Sequence, residues 1–418
     1  MQLKSQGGRQ VRKVVVTGMG IVSPLGSTIG EFWNRLVAGE SGVVALEDEM
    51  YSRFPTRIGA IAAGYRDEDH FGGKEARRLS RATRLGVAAA SEAIKQAGLE
   101  DSSVDRRSVG VVIGSSIGGF SASDPLFKEF YLNGSYGPLT IPFSMNSGPS
   151  AQVSLRYGFQ GPVMSVDAAC ASSGHSIGLM YNLIRWGQLD IGVTGGADCP
   201  FSAGVLAGWC ALRVLSTRNE EPSSACRPFS ADRDGMVLGE GAAVLVLESE
   251  SSARRRGAPV LGEVCGYAAA SDGVHLTRPS EEGAARTMSL ALSDAGIRPE
   301  DVDYVNAHGT GTRLNDSTET SAIKRVFGKH AHTMPVVSHK GALGHSIGGS
   351  GAIELVSSIL SLHRQLVPPT INYQHQDPDC NLDYVISGAR AMKLKTIMSN
   401  SFAFGGSNAV LLVRRKDS

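Results

Sequence analysis

A cysteine among small residues is the first candidate for covalent chemistry in this sequence. Cys170 lies in the run SVDAACASSG, over 165–174, at the start of a predicted helix. The positive end of the helix dipole and the free N–H groups at a helix N-terminus favour the thiolate, which is the nucleophilic form. The small neighbours leave space for a bulky acyl group. The alternative is a buried, inert cysteine, which is the usual state of a lone cysteine.

Three further clusters lie in glycine-rich loops, and the first two of them follow predicted strands. His308 lies in NAHGTGT, over 306–312, and His345 ends KGALGH, over 340–345. Histidines in such loops are placed for chemistry rather than for packing, although a hydrogen-bonded structural histidine is the alternative for each. The last cluster is NSFAFGGSN, over 400–408. Its glycines can expose N–H groups to a developing oxyanion, and a plain turn is the alternative.

Short β-branched runs alternate with longer helical patterns along the chain. Strands are predicted over 14–17, 109–113, 191–194, 243–247, 302–306, 336–338 and 410–413, and helices over 31–38, 83–96, 174–186, 283–295, 318–326 and 351–363. This alternation predicts an α/β fold with parallel sheets and helices packed on them. No linker rich in proline, serine or charge divides the chain, so we expect one compact body.

A five-residue repeat suggests two related halves. The motif GHSIG occurs over 174–178 and 344–348, each time four residues after a polar or reactive residue, Cys170 or Lys340. A match this short can arise by chance. The shared order of strand, loop and helix favours an ancient duplication, which would bring two strand-to-helix turns close together.

Composition and charge exclude several functions. The chain has 41 Lys and Arg against 40 Asp and Glu, so it lacks the basic field that nucleic-acid binding needs. The first apolar run, over 14–16, is too short for a signal peptide, and no later run is long enough to span a bilayer. Six cysteines show neither CxxC pairing nor ligand spacing, so we expect reduced thiols, no metal site and a soluble cytoplasmic protein.

Together, the four clusters resemble the β-ketoacyl-acyl-carrier-protein synthases, and are most similar to the elongating KAS II type. The similarity runs from VVVTG at 14–18 to FGGSN at 404–408 and includes RPF at 227–229. It implies the thiolase fold, in which two similar βαβ-type halves stack as a layered α/β/α/β/α body. We assign residues 1–258 to the half with the nucleophile and residues 259–418 to the half with the two histidines.

The resemblance implies a role for each candidate catalytic residue. Cys170 would accept the acyl group, while His308 and His345 would bind the malonyl thioester carbonyl and promote decarboxylation. The N–H of Phe404, a gate residue, would form an oxyanion hole with that of Cys170. Lys340 is similar to the structural lysine of the family. The carboxylates expected to hold it are Asp316, Glu319 or Glu354.

The resemblance also implies how substrate is bound. The substrates would arrive on the phosphopantetheine arm of an acyl carrier protein, with no metal or redox cofactor. Residues that match the substrate path are Thr277, Thr310 and Thr312 along the pantetheine arm, Phe402 in the gate loop and Ile117 in the acyl pocket. The family is usually homodimeric, and a heterodimer with a chain-length-factor-like subunit is the alternative.

The sequence departs from the common family pattern around this path. Ala403 stands where glycine is common, and its Cβ restricts the backbone of the gate. Arg313 stands where proline is common, and Arg278 follows a threonine of the path; both can touch an acidic carrier, with solvated surface charge as the alternative. The polar segment SMNSGPS, over 144–150, would suit an unusual acyl chain, such as a polyene or an aryl-primed chain, if it lines the pocket or the dimer interface.

Four other functions fit the sequence less well. A non-catalytic chain-length factor lacks the nucleophile that this chain has as Cys170. A Cys-His hydrolase needs one histidine with an orienting Asn or Asp, and a biosynthetic thiolase typically has a second cysteine near its C-terminus. A structural or binding module leaves the Cys–His–His set unexplained. The sequence leaves open the pathway, whether fatty-acid or secondary-metabolite, together with the chain length, the carrier and the type of dimer.

Overall fold

The computed structural model describes residues 11–416 as alternating strands and helices. The strands are β1 (Val14–Val22), β2 (Val43–Ala45), β3 (Ile58–Ala60), β4 (Val109–Gly114), β5 (Val163–Met164), β6 (Ile191–Asp198), β7 (Gly241–Ser249), β8 (Gly262–Ser271), β9 (Tyr304–Asn306), β10 (Val336–Val337), β11 (Leu366–Val367), β12 (Arg390–Ala391), β13 (Thr396–Phe402) and β14 (Ser407–Arg414). The α-helices are α1 (Ile29–Val37), α2 (Gly73–Ala76), α3 (Arg81–Gln96), α4 (Gly118–Asn133), α5 (Thr140–Ser144), α6 (Gly148–Tyr157), α7 (Ser172–Arg185), α8 (Ala203–Ala211), α9 (Glu250–Arg255), α10 (Glu281–Ala295), α11 (Arg313–Phe327), α12 (Lys340–Leu343) and α13 (Ser350–Arg364). Every predicted strand and helix overlaps one of these elements.

The main sheet has ten strands and is symmetric about its centre. Its order is β10-β9-β13-β14-β8-β1-β7-β6-β4-β5. On each side of the central β8–β1 pair, two antiparallel pairings are followed by two parallel ones. The central pairing itself joins only residues 14–16 to 262–264. The prediction of parallel sheets is therefore correct for the outer strands and wrong for the inner ones, where β7 and β14 run antiparallel to both neighbours.

Side-chain alternation along the inner strands creates the layers. In β7, Ala243, Leu245 and Leu247 pack in the cluster that contains α7 and α13, whereas the intervening residues of the strand pack with α3. In β14, Leu411 and Val413 face the same central helices, and their neighbours face α10. Since side chains of a strand point alternately to opposite faces, each half of the sheet is covered on both sides. The result is the predicted α/β/α/β/α arrangement.

Helix α13 is buried on all sides because it lies in the central layer. Every residue from Ser350 to Leu362 is buried. A fully buried helix must satisfy its polar side chains internally. Its serines do so by donating to backbone carbonyls of the same helix, as Ser358 Oγ donates to Glu354 O at 2.8 Å and Ser361 Oγ donates to Ser357 O at 3.0 Å.

The repeated GHSIG motif does not mark equivalent positions in the two halves. Residues 174–178 lie inside α7, whereas 344–348 lie before α13, with Gly344 ending α12. The equivalent central helices begin at Ser172 and Ser350. The separation of these two helix starts along the chain differs from the separation of the two copies of the motif. The inference of two similar halves is therefore right, and the motif that suggested it is coincidental.

The predicted boundary between residues 258 and 259 falls between α9 and β8, where the chain passes from one half of the sheet to the other. This division remains a proposal. Among the described residues, none of the helices combines the length and the apolar character needed to span a membrane.

The central layer should dominate stability. Leu355 of α13 is fully buried, whereas Leu290 of α10 is 43% exposed. We expect Leu355→Ala to lower the free energy of unfolding by about 2–5 kcal/mol, because it leaves a cavity between the sheets. The matched control Leu290→Ala should change it by less than about 0.5 kcal/mol. Urea unfolding followed by circular dichroism measures both, and equal effects would contradict the layered arrangement.

Candidate active site

Cys170 sits on a tight turn just before α7. Ala169 has φ 47°, in the left-handed region that non-glycine residues rarely adopt. Two hydrogen bonds hold the turn, because Ala168 N–H donates to Ser172 Oγ at 2.9 Å and that hydroxyl donates to Ala169 O at 2.7 Å. Strained backbone persists only where its surroundings fix it, and it concentrates at functional sites. The turn therefore presents the cysteine at a defined place at the helix N-terminus.

The structure brings Cys170, His308 and His345 together. All three are buried, and their sulfur and ring nitrogens lie within 4.8 Å of one another. The two imidazoles are nearly perpendicular, with ring centroids 5.3 Å apart. His308 follows β9, and His345 follows α12. This spacing suits reaction on one small group, and it is also short enough for the three side chains to bind one metal ion.

Lys340 organises the histidine pair. Its Nζ donates to the carboxylate of Glu354 and lies 3.4 Å from His308 Nδ1. An ammonium group only donates, so His308 Nδ1 accepts and its ring proton is on Nε2. His345 Nδ1 lies 2.8 Å from Ser350 Oγ, and its Nε2 has no hydrogen-bond partner among residues 11–416. Each imidazole therefore has one nitrogen held by the protein.

Glu319 and Asp316 hold the backbone of the loop that carries His308. Glu319 accepts hydrogen bonds from the N–H groups of His308 and Gly309, both at 2.8 Å. Asp316 accepts from Gly311 N–H at 3.2 Å and from Phe229 N–H at 2.7 Å. Of the three carboxylates expected to hold the lysine, only Glu354 makes that contact.

Burial sets the protonation of the three central groups. Burial, together with the charge of Lys340, lowers the pKa of both His308 and His345 well below its usual range. Burial also raises the pKa of Cys170 to about 11, although Lys340 and the N–H groups of Phe404 and Cys170 oppose this shift. The histidines are neutral and the resting thiol is protonated. Desolvation therefore opposes the thiolate that the helix N-terminus favours.

The segment after β13 lies over the cysteine. The backbone N–H groups of Phe404 and Cys170 act to lower the pKa of the thiol. The Phe404 ring packs 5.9 Å from Trp209, and the Phe402 ring lies edge-on to His308 at 6.3 Å. Ala403 has φ −119° and ψ 155°, an extended conformation open to any residue. Its Cβ therefore causes no strain in this conformation, and the expected effect on gate opening stays a prediction.

A cavity of about 260 Å³ leads from these residues to the surface. The predicted path residues that line it are Thr277, Thr310, Thr312, Phe402 and Phe404, and at its outer end it reaches the exposed Leu276 and Leu314. Three exposed arginines also line it: Arg213, Arg278 and Arg313. Trp209 is a lining residue that the sequence did not reveal, since a tryptophan in an apolar helix carries no distinguishing pattern.

Ile117 lies outside the cavity lining. It packs in the apolar cluster that contains Cys170, and its N–H donates to Asp198 Oδ1 at 3.1 Å. Asp198, also missed from the sequence, accepts Gly348 N–H at 3.0 Å as well and so ties this position to the turn after His345. The polar segment over 144–150 does not line the cavity either.

Family models match both halves of the chain. The model described as Beta-ketoacyl synthase, N-terminal domain, matches residues 11–253, and Beta-ketoacyl synthase, C-terminal domain, matches residues 261–374. The chain belongs to the β-ketoacyl synthase family. It is thus an acyltransferase that forms carbon–carbon bonds, as the sequence predicted, and it has the predicted thiolase fold.

Individual relatives cover nearly the whole β-ketoacyl synthase chain. A Coxiella burnetii (strain RSA 493 / Nine Mile phase I) protein named 3-oxoacyl-[acyl-carrier-protein] synthase 2 is 40% identical over 97% of this chain and 99% of its own. A solved type II PKS ketosynthase, described in complex with its acyl-carrier protein, is 32% identical with TM-score 0.90, covering 97% of this chain and all of its own. The ishigamide ketosynthase/chain length factor is 32% identical with TM-score 0.91, covering 98% and 100%.

The neutral histidines provide a direct test of the site. Because burial and Lys340 disfavour protonation, the imidazole resonances of His308 and His345 should keep neutral chemical shifts from pH 8 to pH 6. Proton–carbon NMR of labelled histidine measures this, with His308→Gln and His345→Gln used for assignment. A midpoint near 6.5 for either ring would show that its site is solvated and would contradict the described geometry.

Proposed function

We propose that this protein is a β-ketoacyl-ACP synthase that joins an acyl group on Cys170 to malonyl-ACP with loss of carbon dioxide. The observation that carries the proposal is the meeting of one buried cysteine with two neutral histidines at the inner end of a surface-connected cavity. A Cys-His hydrolase would pair one histidine with an orienting Asn or Asp, whereas this site has two neutral histidines beside the cysteine.

The first half-reaction is acyl transfer. The sulfur of Cys170 attacks the carbonyl carbon of the acyl thioester, and the carrier sulfur leaves. The proton of the cysteine thiol ends on the carrier thiol. The negative oxygen of the tetrahedral intermediate binds the N–H groups of Cys170 and Phe404. Both groups already act on the sulfur in this structure, where they lower the pKa of the thiol.

The second half-reaction is decarboxylation and condensation. The bond between the malonyl carboxylate and its α-carbon breaks, and the electron pair forms an enolate on the thioester. His308 donates to that oxygen from Nε2, and His345 donates from its free nitrogen. In a buried site, such donors stabilise the charge by several kcal/mol more than they would in water. Carbon dioxide leaves, and the α-carbon attacks the carbonyl carbon of the Cys170 thioester. The cysteine sulfur then leaves as a thiolate and takes one proton from solvent, which restores the resting thiol.

The substrates of this reaction reach the site on the pantetheine arm of an acyl carrier protein. Thr277, Thr310 and Thr312 line the cavity along which the arm would run. The solved type II ketosynthase is described with its acyl-carrier protein, which supports the same kind of partner here. The carrier is acidic, and the arginines at the mouth have the complementary charge. The chemistry requires no metal or redox cofactor.

We propose that a second subunit covers the face formed by α4, α5 and β5. β5 is an edge strand, with Val163 38% and Met164 39% exposed. Exposed apolar residues on the same elements are Phe120, Phe127, Phe130, Tyr131, Leu132 and Ile141. An apolar face of this kind around an edge strand is typical of an interface. A homodimer is the simplest occupant, and the ketosynthase/chain length factor relative keeps a heterodimer as the second candidate.

The proposed setting is the cytoplasm, in fatty-acid or type II polyketide or polyene chain elongation. All six cysteines are free, and the catalytic one has to remain reduced to act.

The polar segment over 144–150 can affect the type of acyl chain only indirectly. Its Asn146 Oδ1 accepts Gly119 N–H at 3.1 Å and so braces the start of α4 beside Ile117.

Acylation of Cys170 tests the proposed function directly. Intact-protein mass spectrometry after mixing with acyl carriers of different length and unsaturation should show one added acyl group. Cys170→Ala should show none, because the nucleophile is missing. Cys210→Ala is the matched control and should acylate normally, since Cys210 does not line the cavity. If no carrier acylates the protein, with or without a partner subunit, the proposal is wrong.

Charge reversal at the mouth tests carrier recognition. Arg278→Glu combined with Arg313→Glu should raise KM for the acyl carrier by about 10-fold and leave kcat nearly unchanged, because like charges repel at the entrance. The increase should shrink at high salt. Arg254→Glu on α9, whose side chain is 80% exposed, is the control. An unchanged KM would show that the two arginines are solvated surface charges that do not contact the carrier.

A further inference from the structure

His175, in the first GHSIG motif, has no part in the proposed reaction, yet both of its ring nitrogens are engaged. It lies on α7 and does not line the cavity. Its Nδ1 is 2.8 Å from Tyr267 Oη, and its Nε2 is 2.9 Å from Ser407 Oγ. A half-buried histidine with two specific side-chain partners is a bridge between elements rather than a packing residue.

This bridge joins the two elements that supply the proposed oxyanion hole. His175 is five residues beyond Cys170, on the helix that begins directly after it. Ser407 is the first residue of β14 and directly follows Gly405 and Gly406, which link it to Phe404. Both glycines have left-handed φ values, 80° and 71°. Because glycine is the least restricted residue, the position of Phe404 depends on how the ends of this segment are held.

The hydrogen-bond chemistry of the bridge is complete. Burial lowers the pKa of His175, so the ring is neutral and offers one donor and one acceptor. The hydroxyls of Tyr267 and Ser407 can each donate or accept, so either tautomer satisfies both bonds. Tyr267 is itself fixed against the helix, since a Cβ on Gly178 would lie only 2.2 Å from its ring. The imidazole is therefore held from one side and presents Nε2 to Ser407.

We propose that His175 is a positioning residue which, through Ser407, sets the separation between the N–H of Cys170 and the N–H of Phe404. Its role is to keep both donors aimed at the same oxyanion during acyl transfer and condensation. This inference rests on the proposed function. The side chain does not touch substrate, so its effect is confined to steps that form an oxyanion.

Loss of the bridge should slow acyl transfer without disabling the thiol. A donor displaced by about 1 Å costs on the order of 10²-fold in rate, and a lost oxyanion-hole donor costs about 10²–10³-fold. Two other bonds of the segment survive, from Gly405 N–H to Leu276 O at 2.6 Å and from Asp272 N–H to Gly406 O at 2.9 Å. We therefore expect Ser407→Ala and His175→Gln each to slow acylation of Cys170 by about 10–100-fold.

The experiment compares two reactions of the same sulfur in the full-length protein. Rapid-quench mass spectrometry gives the rate of acylation from an acyl carrier, which passes through an oxyanion. Alkylation by iodoacetamide displaces iodide and forms no oxyanion, so it reports thiol reactivity and access alone. Ser407→Ala should slow only the first reaction. Ser407→Thr should restore it, because the hydroxyl is retained, and Tyr267→Phe should have a smaller effect because the Nε2 bond remains.

Each outcome decides the proposal. Unchanged acylation in Ser407→Ala would overturn it, and so would a parallel fall in acylation and alkylation, which would indicate general disruption. Ser407→Ala removes a single oxygen, so it keeps the test valid if His175→Gln does not fold. Absence of acylation in the unmodified protein would instead reject the proposed function on which this inference rests.

Discussion

The buried contact between Lys340 and Glu354 is the constraint on which the active site depends. An unpaired charge in a protein interior is strongly unfavourable, and removing one partner of a buried pair typically costs about 3–5 kcal/mol. Glu354 belongs to α13, which is buried between the two halves of the sheet, and Lys340 begins α12 beside it. The lysine can therefore occupy this position only when the central layer is assembled. Once there, its charge adds to the effect of burial in keeping both histidines neutral, and its contact with Nδ1 directs the His308 proton to Nε2.

The other buried carboxylates act on backbone N–H groups. Glu319 fixes the strand end that carries His308, Asp316 fixes the following turn, and Asp198 joins the position of Ile117 to the turn after His345. A carboxylate that accepts several N–H bonds holds loops to within the tolerance that catalysis requires. Asp198 also links the two halves directly, because it ends β6 of one half and binds Gly348 of the other. The cysteine and the histidines come from different halves, so such links determine their spacing.

The sequence predicts the parts of this protein that depend on local pattern. Strand and helix positions followed from periodicity. The three central residues were candidates from their local sequence, and the family resemblance gave them their roles. The sequence did not predict the antiparallel inner strands, because pairing direction depends on contacts between segments distant in the chain. Glu319 was expected among the carboxylates that bind Lys340, but it binds backbone N–H groups instead. Spacing in the sequence does not distinguish a carboxylate that binds an ammonium group from one that binds N–H groups. Trp209 and Asp198 carry no sequence signal at all, since only the fold brings them to the site.

The protonated resting thiol gives the arrangement a consequence that a permanent thiolate would lack. Burial raises the pKa of Cys170 to about 11 and so disfavours the thiolate, which is the form that reacts with electrophiles. The N–H groups of Cys170 and Phe404, which oppose this shift, are the same groups that receive the carbonyl oxygen in the proposed reaction. When a thioester occupies them, the developing charge moves from sulfur to a preorganised oxyanion site, and the barrier falls only for that substrate. We infer that the site is selective for thioesters because the same two N–H donors stabilise first the sulfur and then the oxyanion. The rate of acyl transfer should therefore depend more on the position of the Phe404 segment than on the ionisation of the resting cysteine.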